Sequence, residues 1–299
     1  MRILLLLLLV ALTNIVFAQD EDTKVNSIRG NEKYHQFELG DERYLLADHV
    51  NVRATPSSKG TVVTNLPIGT ALKIIEVSDK KLRLNGFETN WYKISFKAKD
   101  NVTTGYVWGG LIAEGMIQSA NSSRLLFLYG IASLSEEGDS DKGLIQIRAC
   151  KNKSELSRVD LKTVGDYLHI SHSFANYGNR GLAEIEDIIE FVEMEEMCGG
   201  VRAYNIVFWD GKDLVYVKTK RPFGDSPFYA SDDLVFPDDK GGEKGKIIGD
   251  EQIGWYDEDK EANVLASHKR IEYVWTGKTL KQTKVLIDKE YDVEYDLKE

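Results

Sequence analysis

The sequence predicts a mainly β protein, a small antiparallel barrel followed by a larger β-rich region. Three observations predict it. From Arg43 onward, short runs rich in Val, Ile, Thr, Tyr and Trp alternate with Gly, Asn, Asp and Lys turns, the rhythm of consecutive strands. Two later segments, 204–214 and 271–280, each run an aromatic strand into Trp209 or Trp275, turn through x-Gly-Lys and resume at Leu214 or Leu280. A glycine at that turn position is what a tight hairpin requires. Finally, residues 19–123 carry 13 basic and 13 acidic residues, whereas residues 124–299 carry 24 and 35, so the charge balance changes near Asn121-Ser122-Ser123. A boundary between two regions is expected there.

The elements follow in order. Residues 1–18 combine Arg2, an apolar core with six consecutive leucines and a small-residue end at Ala18, the pattern of a cleavable secretory signal cut between Ala18 and Gln19. The apolar stretch is short for a permanent membrane anchor, so no stable membrane insertion is expected after cleavage. Without the signal, 37 basic residues stand against 48 acidic ones, a net charge of −11. Residues 19–42 are polar without a sustained period and read as a flexible leader. Residues 43–113 read as the barrel, 114–123 as a linker and 124–299 as the second β-rich domain.

Within the barrel, the order of motifs is distinctive. It opens with Asn51-Val52-Arg53 and Pro56, spaces glycines at Gly60 and Gly69, and closes with Trp91-Tyr92-Lys93-Ile94 and Gly105-Tyr106-Val107-Trp108. This run, about 44–113, resembles a bacterial SH3 (SH3b) domain. The resemblance implies an SH3-like barrel that binds cell-wall peptides or another envelope component. Two departures are a long connection over 77–88 and an insertion at 98–101, both of which lengthen hairpins near the rim.

Trp91, Tyr106, Trp108 and Arg53 are the expected ligand-binding residues. Aromatic rings offer large rigid contact areas with polar handles, and a guanidinium can pair with a carboxylate. Strand alternation puts Trp91 and Tyr92 on opposite faces, so only one of these two can join a given surface site. Residues 44–113 hold nine basic and five acidic residues, which makes the barrel the better partner for anions. The acidic second region disfavours nucleic acid.

The second region has strand patterns at 125–131, 144–150, 204–209, 214–219, 271–275 and 284–287. The two x-Gly-Lys segments read as a recurring hairpin, with a propeller-like array as the alternative. Residues 182–197 fit a helical face through Ile185, Ile188, Ile189 and Val192, and also alternate as a strand; flanking strands favour the strand. The preceding 174–181 segment bears a faint similarity to the loop of FG-GAP propeller repeats, but lacks the aspartates that calcium would need. Residues 231–268 read as solvated loop.

Chemistry is sparse. Cys150 and Cys198 in an exported chain are expected to form a disulfide, with buried free thiols or a catalytic cysteine as competitors. An alternative enzyme, a cell-wall cysteine peptidase using Cys198 and His268, lacks the Asp-Cys-Ser-Gly signature of that class, since Met197 and Gly199 flank Cys198. His169 and His172 lie three residues apart, but the local alternation argues against zinc. No cofactor or metal is expected. The sequence therefore leads to a non-enzymatic exported binding protein, with a peptidase or a protein-interaction scaffold as alternatives.

Overall fold

The computed structural model describes residues 26–29, 34–98, 101–134, 143–162, 170–195 and 202–293. The signal segment, His169 and Cys198 lie outside the described residues. Within them the chain forms strands and one 3-10 turn at Gly109–Leu111, in four antiparallel sheets. The mainly β expectation holds.

The first strand, β1 (Asn26–Arg29), comes from the segment expected to be a flexible leader. It pairs instead with a strand of the second region, Asn26 opposite Asn176 and Arg29 opposite Ser173. Farther along, His35 and Phe37 are buried. The leader has too few apolar residues to show a period, but Tyr34 and Phe37 pack against the cores of other elements. Its order is tertiary in origin.

The barrel follows, from β2 (Glu42–Tyr44), β3 (Val50–Arg53), β4 (Val62–Leu66), β5 (Ala71–Leu84), β6 (Phe87–Ala98) and β7 (Asn101–Trp108). Its strand order is β2-β5-β6-β7-β3-β4. Alternation sends Leu72 and Ile74 from β5, and Tyr92, Ile94 and Phe96 from β6, into one core with Val50, Val52 and Val107. The 77–88 connection is a continuation of β5 and β6. Their hairpin turns at Asn85-Gly86, both with positive φ, which is the preferred chemistry of a two-residue turn. A side chain at Gly86 would also meet the Leu134 carbonyl oxygen, because the hairpin tip docks there and Leu134 N–H donates to the Asn85 carbonyl at 2.9 Å.

Three meanders follow the barrel. The first contains β8 (Gly115–Gln118), β9 (Leu125–Ser133), β10 (Leu144–Lys151) and β11 (Ser154–Lys162). Thus the expected linker 114–123 contributes a strand, with Glu114 buried beside it. The second meander is β12 (Ile170–Asn176), β13 (Asp187–Glu195), β14 (Arg202–Trp209) and β15 (Leu214–Lys220), with β1 on its edge. The third is β16 (Phe223–Asp225), β17 (Phe228–Val235), β18 (Ile247–Asp257), β19 (Ala262–Trp275) and β20 (Leu280–Glu290). Both x-Gly-Lys segments form the expected hairpins, β14-β15 and β19-β20.

The second meander lies between the other two. Phe174, Ile189, Phe191, Val207 and Trp209 pack with Phe127 and Tyr129 of β9, whereas Ala175, Ile188, Ile206 and Phe208 pack with Leu234, Phe236 and Ile247. Burial on both faces explains why 185–192 carries apolar residues at adjacent positions and mimics a helix. The strand assignment holds for β13, and the segment before it turns. Asp187 is fully buried on this strand. Its carboxylate accepts from Ser119 Oγ at 2.6 Å, the Ala120 N–H at 2.7 Å and Asn176 Nδ2 at 2.7 Å, tying the second meander to the first.

The 231–268 expectation needs correction, since β17, β18 and β19 run through much of it. Charged runs such as Asp232-Asp233, Asp250-Glu251 and Lys269-Arg270 stand on strands that are only partly buried, and this polarity resembles a loop. At the sheet edge, β20 is exposed along most of its length but carries two register shifts against β19 and several charges. Bulges and charges blunt an edge that would otherwise template pairing.

Candidate functional site

Register brings the expected ligand residues to one wall of the barrel. Trp91 lies opposite Trp108, and Lys93 opposite Tyr106, across β6 and β7; Arg53 on β3 also pairs with Tyr106. Directly paired residues in antiparallel strands share a face, so all four expected residues do share the outer wall. They do not share solvent.

Trp91 and Trp108 are only 5% and 3% exposed, and belong to the core shared with Ile117, Phe127 and Leu134. The Trp108 ring stacks on Phe87 with centroids 5.3 Å apart, and its Nε1–H donates to the Leu82 carbonyl at 3.0 Å. The expectation that these indoles contact a ligand is therefore corrected: the first meander covers them. Strand alternation identifies a face, but cannot say what covers it.

Tyr106 and Arg53 remain partly exposed at the uncovered end of the wall. The Tyr106 hydroxyl donates to Glu76 Oε1 at 2.8 Å, and this bond raises the phenol above its ordinary pKa. Lys93 Nζ lies 3.6 Å from Glu76 Oε2 and 5.7 Å from the Tyr106 ring centre. Arg53 Nη1 donates to the Gly60 carbonyl at 2.7 Å and braces the turn between β3 and β4. Its first role is structural.

Beyond Tyr106 the same wall opens into a groove of about 310 Å³, bordered by Arg43, Tyr44, Lys73, Lys97 and Val102. Sequence analysis missed it. The clue is the alternation Trp91, Lys93, Ser95, Lys97 along outward positions of β6, which passes from covered aromatic to exposed cation. Arg43, paired with Leu72, turns its side chain to the core side, where its guanidinium meets Asp41 at 2.8 Å and lies 5.4 Å from the Phe37 ring centre.

A second polar cluster lies buried where leader, barrel and meanders meet. His35 stacks on Phe87 at 4.6 Å, its backbone N–H donates to Glu114 Oε1 at 2.6 Å, and its Nδ1 lies 2.8 Å from the same oxygen. Thr89 Oγ1 and the Tyr92 hydroxyl both donate to the His35 carbonyl, at 3.0 and 2.8 Å. Tyr34 stacks on His172 at 4.5 Å, and Tyr129 meets His172 edge-on. Burial pushes the Tyr34 and Tyr129 phenols well above their ordinary range, and nearby Glu114 adds to the effect on both. These groups join elements together, and they are closed to solvent.

The expected Cys150–Cys198 bridge is not formed in this structure, where Cys150 is a free, buried thiol. It sits among Leu46, Ile68, Ala113 and Leu128, and a Cβ placed on Gly69 would come within 2.6 Å of its sulfur. Such close packing between barrel and first meander makes Cys150 a core residue, and burial raises its thiol pKa. For the peptidase alternative, His268 on β19 has its Nε2 2.9 Å from Asp250 Oδ1; its proposed partner Cys198 lies outside the described residues. Among the described residues, no group of three or more His, Cys, Asp or Glu is placed to hold a metal ion. No helix there is long and apolar enough to cross a membrane.

An antiparallel barrel with an apolar centre and a partly basic outer wall has the architecture of an SH3-type domain. Residues 48–113 match the bacterial SH3 domain family. No curated protein and no solved structure matches the chain.

Proposed function

We propose that this is an exported, non-enzymatic binding protein whose bacterial SH3 domain engages a peptide of the cell wall or another envelope component. The observation carrying this reading is the family match over residues 48–113, a family associated with cell-wall binding. The signal-like residues 1–18 support export. Tyr106 and Arg53, which keep access to solvent, stay as contacts of the ligand wall in this reading, whereas the two indoles serve the core. The first and second meanders pack against the barrel and hold it.

Co-sedimentation of residues 19–299 with purified peptidoglycan tests the proposal. Pelleting of the protein only in its presence is the expected result. A protein that stays in the supernatant, yet is retained by other envelope proteins, would favour the scaffold alternative.

A further inference from the structure

The outer wall of β6 has two ends with opposite fates. At one end Trp91 is sealed beneath the first meander; at the other, Ser95 and Lys97 face the open groove. Lys73 lies directly opposite Ser95, and Lys97 directly opposite Val102, so both cations project from the same wall. On the same barrel Lys81 lies 3.7 Å from Glu88 and Lys93 lies 3.6 Å from Glu76. Among the described residues Lys73 and Lys97 have no ion pair. Glu42, the groove's acidic member, lies directly opposite Lys73.

Apolar surface lies beside these charges. Val102 is 76% exposed at the rim, and Leu72 and Phe96 underlie the floor. Unpaired cations spaced along an apolar strip suit an extended chain bearing carboxylates, because each cation gains a partner while the strip covers aliphatic parts of the chain. A cavity near the lower end of the roughly 300–1,000 Å³ range of ligand sites takes a short segment of such a chain.

Resting on the binding function proposed above, we infer that the ligand is a carboxylate-bearing peptide seated in the Lys73–Lys97 groove, on the wall beyond Tyr106. Lys73 and Lys97 bind its carboxylates; Tyr44 and Val102 contact its apolar parts.

The test uses residues 19–299 in two assays, titration with an oligoglutamate peptide and co-sedimentation with peptidoglycan before and after carbodiimide amidation of its carboxylates. The variant Lys73→Glu/Lys97→Glu is compared with Lys81→Glu/Lys212→Glu, which changes net charge equally outside the groove. The groove variant should weaken peptide binding about tenfold or more, as should amidation of the wall, while the control variant stays near wild type. Groove-dependent peptide binding without co-sedimentation would uphold the groove and sink the cell-wall reading. Co-sedimentation unaffected by either the groove variant or amidation would do the reverse. Failure to bind oligoglutamate, or binding of a phosphate polymer in its place, overturns the carboxylate assignment.

Discussion

Trp91 lies directly opposite Trp108 on the outer wall of the barrel, and both indoles are closed from water by the first meander. The pair that looks most like a ligand platform is the joint between the SH3 domain and the rest of the chain. This makes the barrel and first meander dependent on one another for stability.

Replacing either indole tests that dependence. Truncating a buried Trp typically costs roughly 3–5 kcal/mol. Trp91→Ala and Trp108→Ala should each lower the unfolding free energy by that much while leaving the groove intact. Chemical denaturation together with a binding titration on the remaining folded protein checks both halves. A variant with full stability and lost binding would restore the ligand role.

Asp187 carries the second joint. With three donors aimed at its buried carboxylate, Asp187→Ala removes charge-assisted bonds worth about 1.5–3 kcal/mol each and leaves Asn176 Nδ2 with one acceptor, the Gln118 carbonyl. A fall in stability of at least about 3 kcal/mol is expected, measured by urea denaturation. Protection of β8 amides in hydrogen exchange should fall with it.

Alkaline pH should destabilise the fold through Tyr34 and Tyr129. Both phenols have pKa values raised by burial, so the native state holds their protons more tightly than the unfolded chain. Their contribution is fully present below about pH 10, where unfolded tyrosines are protonated, and declines as pH rises toward the native values. The slope is about 1.4 kcal/mol per pH unit for each tyrosine. Urea midpoints measured from neutral to strongly alkaline pH should therefore drop, and Tyr34→Phe or Tyr129→Phe should flatten the decline. An unchanged slope in both variants would place the alkaline sensitivity elsewhere.

Cys150 should resist alkylation in the native protein and react once denatured, because burial both hinders access and suppresses the thiolate. Mass spectrometry of a non-reducing digest provides the second arm: detection of a Cys150–Cys198 linked peptide would contradict the free thiol. Labelling of Cys198 without prior reduction counts in favour of the same conclusion, whereas labelling only after reduction would reopen the disulfide.

Much of the fold was legible. The β class, the barrel motifs and both x-Gly-Lys hairpins depend on short-range chemistry: alternation, turn residues and motif order. The Asn85-Gly86 turn was equally local and marks the hairpin tip inside what reads as a long connection. Legibility failed where burial is supplied from a distance. His35 and Phe37 look like parts of a polar leader because their partners Glu114 and Tyr92 lie many positions away. Strands β17 to β19 look like loop because charged residues on incompletely covered sheet faces have no local signature.

The candidate site divides along the same line. From residue order alone, Arg53, Trp91, Tyr106 and Trp108 belong to an SH3b-like domain with excess positive charge, and alternation selects the faces of its strands. The tertiary structure decided which part of the wall stays open, covering Trp91 and Trp108 with a meander and leaving Lys73 and Lys97 in a groove. Periodicity specifies a side chain's direction along its own strand; solvent access depends on sheets that arrive from elsewhere in the chain.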